Sequence, residues 1–244
     1  MKCNNLETCL ISPPFGNYFS HPAATRIRGS FTALPRPGLI WNTMKSFRKT
    51  KGGWINKIGL RNCGIHNVMI DEKSVYSLAA VNTYDWLKLY VGFPLQLNKV
   101  EINLGCPNIS TVPPPSKGMF DLFHASYDTV IVKVAPTPEG YVQACSLIDT
   151  CGVNIIHACN TIPTEKGGIS GDQLRKHSKE FVYKLRAQYP NLTIIAGGGI
   201  YEESDIDAFA QLGADHFSLS TAFMKPWKAK RLISYAADKV FSND

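Results

Sequence analysis

Glu101-Ile-Asn-Leu-Gly-Cys-Pro-Asn108 is an alternating apolar stretch that runs into a thiol with amides on both sides. In a strand, residues two apart share a face, so Glu101 and Asn103 point one way while Val100, Ile102 and Leu104 point the other. Gly105 and Pro107 end regular pairing. The turn they impose places Cys106 and Asn108 at the strand's C-terminal mouth, where parallel α/β folds build their sites. Within these eight residues a small buried core thiol fits as well as a reactive one, and the neighbouring segments must decide between them.

From Ser74 onward, short β-branched runs alternate with longer helical patterns, the signature of repeated βα units. The strands are predicted over Ser74–Val81, Lys99–Leu104, Thr129–Ala135, Val153–Ala158, Leu192–Ala196 and His216–Leu219. Helices are predicted over Tyr84–Val91, Pro138–Thr150, Gln173–Gln188, Glu203–Leu212 and Trp227–Phe241, where apolar residues recur at spacings of three and four. Thr137-Pro138-Glu139 and Ser204-Asp205 read as helix starts, and Gly152 and Gly213 as stops. Earlier strands near Thr8–Pro13 and Trp54–Ile58, with a weaker one near Gly29–Ala33, bring the count to eight or nine. Closure into one (β/α)8 barrel of parallel strands over residues 1–244 follows, with an open doubly wound sheet as the alternative. The Pro113-Pro114-Pro115 run reads as a stiff loop at the edge of an active-site lid.

Composition narrows the class. A hydrophobic share of 44% suits a globular protein, and no run approaches the roughly 18 apolar residues that span a bilayer. With no apolar leader at Met1-Lys-Cys-Asn, the cytoplasm is expected. The seven cysteines are odd in number and lack a C-x-x-C pair, and the six histidines lack helical metal spacing, so neither a disulfide framework nor a metal is expected. Between Thr8 and Ile70 lie nine Lys or Arg and no Asp or Glu, and this segment carries the whole excess of +7. Such a face suits an anionic partner such as a phosphate-bearing cofactor, an anionic metabolite or nucleic acid, or it is simply a solvated cationic loop.

Three further features gather at strand ends. Lys133 lies within the apolar run Val130–Ala135, either snorkelling on the outer face or acting as a fixed cation inside the barrel mouth. Asn56, Asn103, Asn108 and Asn160, the last followed by Thr161, offer paired donors and acceptors that suit a ring with alternating C=O and N–H groups. Gly167-Gly168-Ile-Ser-Gly171, Gly197-Gly198-Gly199 and Ser220-Thr221 are suited to a phosphate, because glycines let backbone N–H groups approach it.

With these residues in place the chain resembles the dihydroorotate dehydrogenase family. Ser12-Pro-Pro-Phe-Gly-Asn17 is similar to that family's N-P-F-x-N motif, Ile55–Asn62 to its N-S-M-G-L-P-N segment, and Glu101–Asn108 to E-L-N-L-S-C-P-N. The resemblance implies an FMN-dependent barrel that oxidises dihydroorotate to orotate in pyrimidine biosynthesis. Cys106 would remove the C5 proton while hydride leaves C6 for flavin N5. Asn56, Gly59, Leu60, Asn103, Asn108, Asn160 and Thr161 would bind substrate. Asn103, Lys133, Cys159, Gly171, Gly197, Gly198, Gly199, Ser220 and Thr221 would hold FMN. A Cys at the base position resembles the soluble, cytosolic branch, whose dimeric members return electrons to fumarate, so a homodimer using fumarate is one expectation, with no membrane or nucleic-acid partner.

The chain departs from the family pattern in its N-terminal part. The T-K-[ST] lysine has no match, its place falling near Ala33 or Leu34, with Arg28 and Arg36 as the nearby cations. Tyr18 and Phe19 stand where small residues normally let the flavin lie. The first βα unit is shortened, and Ser220 replaces a phosphate-loop glycine. Two other readings remain open: a tRNA dihydrouridine synthase, which shares the N-x-G-C-P strand end and suits the basic segment, and a barrel that has lost both flavin and catalysis.

Overall fold

The computed structural model describes residues 6–93, 98–105 and 113–240. Its strands are β1 (Cys9–Ile11), β2 (Ala24–Phe31), β3 (Arg48–Thr50), β4 (Gly53–Asn56), β5 (Val75–Leu78), β6 (Lys99–Asn103), β7 (Thr129–Lys133), β8 (Ile155–Ala158), β9 (Ile162–Thr164), β10 (Gly167–Gly171), β11 (Thr193–Gly197) and β12 (His216–Leu219). Its helices are α1 (Leu39–Ser46), α2 (Asp85–Gly92), α3 (Lys117–Ser126), α4 (Pro138–Cys151), α5 (Arg175–Gln188), α6 (Glu203–Gln211) and α7 (Pro226–Val240). Eight strands close a parallel barrel in the order β1-β12-β11-β8-β7-β6-β5-β2. This is a TIM barrel.

The first βα unit is short, with a single 3-10 turn, Phe15–Asn17, between β1 and β2. Gly16 lets this turn press on the barrel, since a Cβ there would lie 2.0 Å from the Ile27 carbonyl oxygen and 2.4 Å from that of Ile11. The predicted stops and starts act locally. The Thr137 hydroxyl accepts the Gly140 N–H to cap α4 (3.1 Å), and Gly152 closes the same helix at φ 68°. Helix α6 starts at Glu203 as predicted, but its N-cap is Glu202 rather than a residue of the Ser204-Asp205 signal, because Glu202 and Asp205 form a reciprocal capping box.

Two sequence expectations need correction. Trp54–Ile58 is not a barrel strand. Its first residues form β4 in a separate antiparallel sheet, β3-β4-β10-β9. Alternation marks a strand but not its partner. The second barrel strand is Ala24–Phe31, longer and earlier than the predicted Gly29–Ala33, and disguised by Arg26 and Arg28. These arginines face outward, where Arg26 pairs with Asp71 (3.7 Å) and Arg28 lies 5.6 Å from the Tyr76 ring centroid. Helix α3 was not predicted, because Gly118 and a Phe-rich sequence weaken the helical signal. Burial of Phe120 and Phe123 holds it in place, each worth roughly 1.5–3 kcal/mol. The proline run leads into this helix, with Pro115 buried, the Pro113 carbonyl accepting the Trp86 indole N–H (3.0 Å) and Ser116 as the N-cap.

The second sheet bears on function through its connections. Its hairpin β3–β4 follows barrel strand β2, and its hairpin β9–β10 follows barrel strand β8. Those two barrel strands lie on opposite sides of the ring, so a sheet built from both reaches across the C-terminal end.

Gly16→Ala should lower stability by about 1–3 kcal/mol in urea denaturation, since its Cβ meets backbone that cannot move aside. Gly118→Ala, with nothing within 4 Å of its Cβ, should lose none.

Candidate active site

The barrel interior is built in layers. Leu10, Ile27, Val75, Ile131, Ile155 and Ile195 form an apolar cluster inside the ring. Because side chains alternate, the residues two steps on share the same inward face: Ser12, Gly29, Ser77, Lys133, His157 and Gly197. Glu101 and Ser218 join them from β6 and β12, aligned with Ser77 and Gly197. The interior therefore changes from apolar to polar toward the strands' C-terminal ends, as Glu101 and Asn103 on one face predicted.

Glu101 is the centre of this layer and has no solvent exposure. Its Oε2 lies 2.6 Å from His157 Nδ1, and its Oε1 lies 3.9 Å from Lys133 Nζ. Burial pushes the carboxyl pKa up, but Lys133, His157 and the Ser77 hydroxyl outweigh it and hold the group down at about 2. Burial and the neighbouring Lys133 cation push the His157 pKa down, against the pull of Glu101, so the ring is neutral. Lys133 is itself buried and in register with Asn103 on one side and His157 on the other. It is the interior cation, not the snorkelling one.

A hydrogen-bonded chain of side chains runs above this charge cluster. Asn160 Nδ2 donates to Asn103 Oδ1 (2.8 Å), Asn103 Nδ2 donates to Ser30 Oγ (2.7 Å), and Ser30 and Ser77 share a hydroxyl contact of 2.8 Å. The Thr161 N–H donates to Asn160 Oδ1 (2.9 Å), which orients that amide. Three of the predicted residues thus form one network. Cys159 is adjacent, and burial pushes its thiol up to about 11, so it stays protonated near neutrality. Gly197 makes room for it, since a Cβ there would come within 3.1 Å of Cys159 Sγ.

The glycine turns lie beside this network. Gly198 and Gly199 both have positive φ, 84° and 88°, which turns the chain sharply after β11. Arg175 ties that turn down by donating to the Gly199 carbonyl (3.0 Å) while pairing with Asp205. Tyr201 donates to Thr221 Oγ1 (2.7 Å), and a Cβ on Gly171 would lie 2.9 Å from the Tyr201 hydroxyl. Gly171, Thr221 and the turn after β11 therefore meet around Tyr201 and Arg175. Ser220 donates to the Pro13 carbonyl (3.1 Å), joining the loops after β12 and β1.

Asn56, Gly59 and Leu60 are placed differently. Asn56 belongs to the bridging sheet, opposite Gly168, and Gly59–Leu60 lie in the loop beyond it. Leu60 holds φ 52°, and Asn62 braces it by donating to its carbonyl (2.7 Å). Cys106 and Asn108 lie outside the described residues. Tyr18 exposes 70% of its surface, and Phe19 packs on Phe223 at 5.1 Å. Neither enters the network around Asn103. Of the nearby cations, Arg36 donates to the Gly59 carbonyl (3.2 Å) and Arg28 to that of Met69 (2.7 Å), both away from Lys133.

Sequence reasoning missed His157, Ser30, Arg175 and Tyr201. His157 carried a legible signal, a polar residue inside the strand Ile155–Ala158 at the same alternation as Lys133. The other three are brought in only by folding.

A model of the dihydroorotate dehydrogenase family matches residues 18–236. The chain belongs to the dihydroorotate dehydrogenase family. These enzymes are oxidoreductases that use a flavin. A Fusobacterium nucleatum protein named dihydroorotate dehydrogenase B (NAD(+)), catalytic subunit, is 27% identical over 249 residues, covering 86% of this chain and 81% of the relative. One of the same name from Oceanobacillus iheyensis is 24% identical over 229 residues, covering 80% and 75%. The Eimeria tenella dihydroorotate dehydrogenase structure with ferulenol shares the fold, with a TM-score of 0.67, 14% identity and coverage of 97% and 82%. The family assignment favours the dehydrogenase over the dihydrouridine synthase reading.

The pH dependence of stability follows from the buried pair. Glu101 is lowered from 4.5 to about 2, so its contribution is complete above its unfolded pKa and is lost as pH falls toward about 2. His157 is lowered from 6.5, so its contribution is complete above that value and declines as pH falls below it. Urea midpoints should fall steadily from about pH 7 to about pH 3, and a flat profile over that window would contradict this assignment.

Proposed function

We propose that this chain oxidises dihydroorotate to orotate with bound FMN. The reading is carried by the placement of Lys133 inside the barrel mouth, in register with Asn103 and beneath the Asn103–Asn160 pair. The residues present fit the cofactor. Among the described residues the Lys133 ammonium makes an ion pair but no hydrogen bond, leaving its donors for an anionic group. The positive-φ turn at Gly198–Gly199, with Gly171 and Thr221 beside it, suits a phosphate.

FMN, when bound, supplies the acceptor for a hydride. The protein's share of the reaction is positional and acid–base. Asn103 and Asn160 orient the substrate ring through the amide edges left by their mutual bond, joined by Asn108 and, from the bridging sheet, Asn56. Gly59, Leu60 and Thr161 complete the substrate contacts. Cys106 takes the proton from C5. A thiol with an ordinary pKa of about 8.5 needs only modest stabilisation to act near neutrality. The protonated state of Cys159 supports giving the base role to Cys106. Lys133 stabilises negative charge that develops on the reduced cofactor.

The electron acceptor belongs to the same proposal. The names of the relatives specify NAD(+) and a catalytic subunit, whereas a Cys-base homodimer would pass electrons to fumarate. Acceptor assays with NAD+ and fumarate side by side distinguish them. Among the described residues no helix is long and apolar enough to cross a membrane. The five described cysteines are free thiols, which suits the reducing cytoplasm proposed for the protein.

The purified protein should show a flavin spectrum, or take one up with added FMN, and should bleach anaerobically with dihydroorotate. Absence of both colour and reconstitution would sink the proposal in favour of a non-catalytic barrel. Cys106→Ala should slow bleaching by about 10²–10⁴-fold while leaving FMN affinity nearly unchanged. Equal loss of both would remove the base role.

A further inference from the structure

We propose that Glu101 and His157 are positioning residues for the reaction, a neutral His157 with its proton on Nδ1 holding the Glu101 carboxylate, which in turn keeps Lys133 a fixed cation at the barrel mouth. The inference rests on the reading of Lys133 as the cation that faces FMN. It assigns work to two side chains on β6 and β8 that need not touch cofactor or substrate.

The geometry settles the proton's place. A carboxylate has acceptors only, so the 2.6 Å contact between Glu101 Oε2 and His157 Nδ1 requires the proton on Nδ1. Among the described residues, His157 Nε2 is then a buried lone pair with no hydrogen-bond partner. Glu101 Oε1 likewise has none, and it meets Lys133 by charge alone at 3.9 Å. This arrangement leaves one negative and one positive group in the interior, balanced. A protonated imidazole would add a second cation to a buried space, which both burial and Lys133 oppose. Without the carboxylate, the buried ammonium loses its compensating charge, which disfavours its charged form.

A core built for stability alone does not require this cluster, because a buried ion pair is commonly replaceable by apolar residues at no cost. The half-satisfied state of Glu101 Oε1 and His157 Nε2 is unfavourable for stability and useful for holding Lys133 charged with its donors unspent. The charged and titratable groups facing the carboxylate are Lys133 from β7, His157 from β8 and Cys159 beyond it.

The first test is lysine and imidazole nitrogen NMR on the protein without added FMN, with the Lys133 signal assigned by Lys133→Met. Near pH 7 His157 should be neutral with its proton on Nδ1, and Lys133 an ammonium. Glu101→Gln should lower the Lys133 titration by about one pH unit or more. A proton on Nε2, a doubly protonated ring, or an ammonium that titrates unchanged in Glu101→Gln would overturn the proposal. The second test is FMN binding by fluorescence across pH. His157→Asn, whose amide offers an N–H in place of Nδ1–H, should keep the wild-type profile. His157→Leu should weaken binding about tenfold and move its acid-side loss up by about one pH unit. Equal weakening by Asn and Leu, or a Leu profile parallel to wild type, would refute it. If wild-type protein does not bind FMN, the cofactor reading fails, and the NMR measurements still decide the pair.

Discussion

A carboxylate sealed inside a barrel must be compensated, and the arrangement around Glu101 follows from that requirement. Two of its compensating partners come from the next two strands: Lys133 on β7 supplies charge, and His157 on β8 supplies a hydrogen bond, with the Ser77 hydroxyl of β5 adding to them. Parallel pairing makes this possible, because it sets Asn103 beside Lys133 and Lys133 beside His157 at the same height. Below lies an apolar cluster, and above lies the amide network of Asn103 and Asn160. The electrostatics of the mouth therefore depend on barrel register. A one-residue slip of any of these strands would turn its polar group outward.

The second constraint is the bridging sheet. A TIM barrel carries its chemistry on loops after the strands, and loops alone are poor at holding geometry. Here the loops after β2 and β8, from opposite sides of the ring, pair into one antiparallel sheet. Asn56 rides on that sheet opposite Gly168, and Asn62 braces the Gly59–Leu60 turn beside it. On the far side, Arg175 and Tyr201 fasten the glycine turns. Both sides of the mouth are thus tied by side chains outside the motifs themselves.

The N-terminal departures lose some of their force in three dimensions. Tyr18 and Phe19 stand in sequence where small residues of the family let the flavin lie. One is exposed, and the other belongs to an aromatic cluster with Phe15 and Phe223. The missing lysine is a different matter. Ala33 is buried and Leu34 is exposed, while Arg28 and Arg36 are engaged elsewhere. Lys133 is the interior cation on which the proposed cofactor site relies.

The barrel was legible because βα repetition, glycine stops and a Thr-Pro helix start are local signals, written in residues that act where they stand. The inward face of β6 was legible for the same reason, since alternation alone aligns Glu101 with Asn103. Partnership was not legible. Trp54–Asn56 had to be extended, but nothing in its residues said that it pairs with Ser170–Gly168 rather than closing the ring. Likewise the sequence by itself determined that Lys133 and His157 each sit within an apolar strand, the kind of exception that demands a partner. Only the tertiary structure decided that both partner the same carboxylate, because a charge in a low-dielectric interior is satisfied by whatever folding brings within a few ångströms, regardless of distance along the chain.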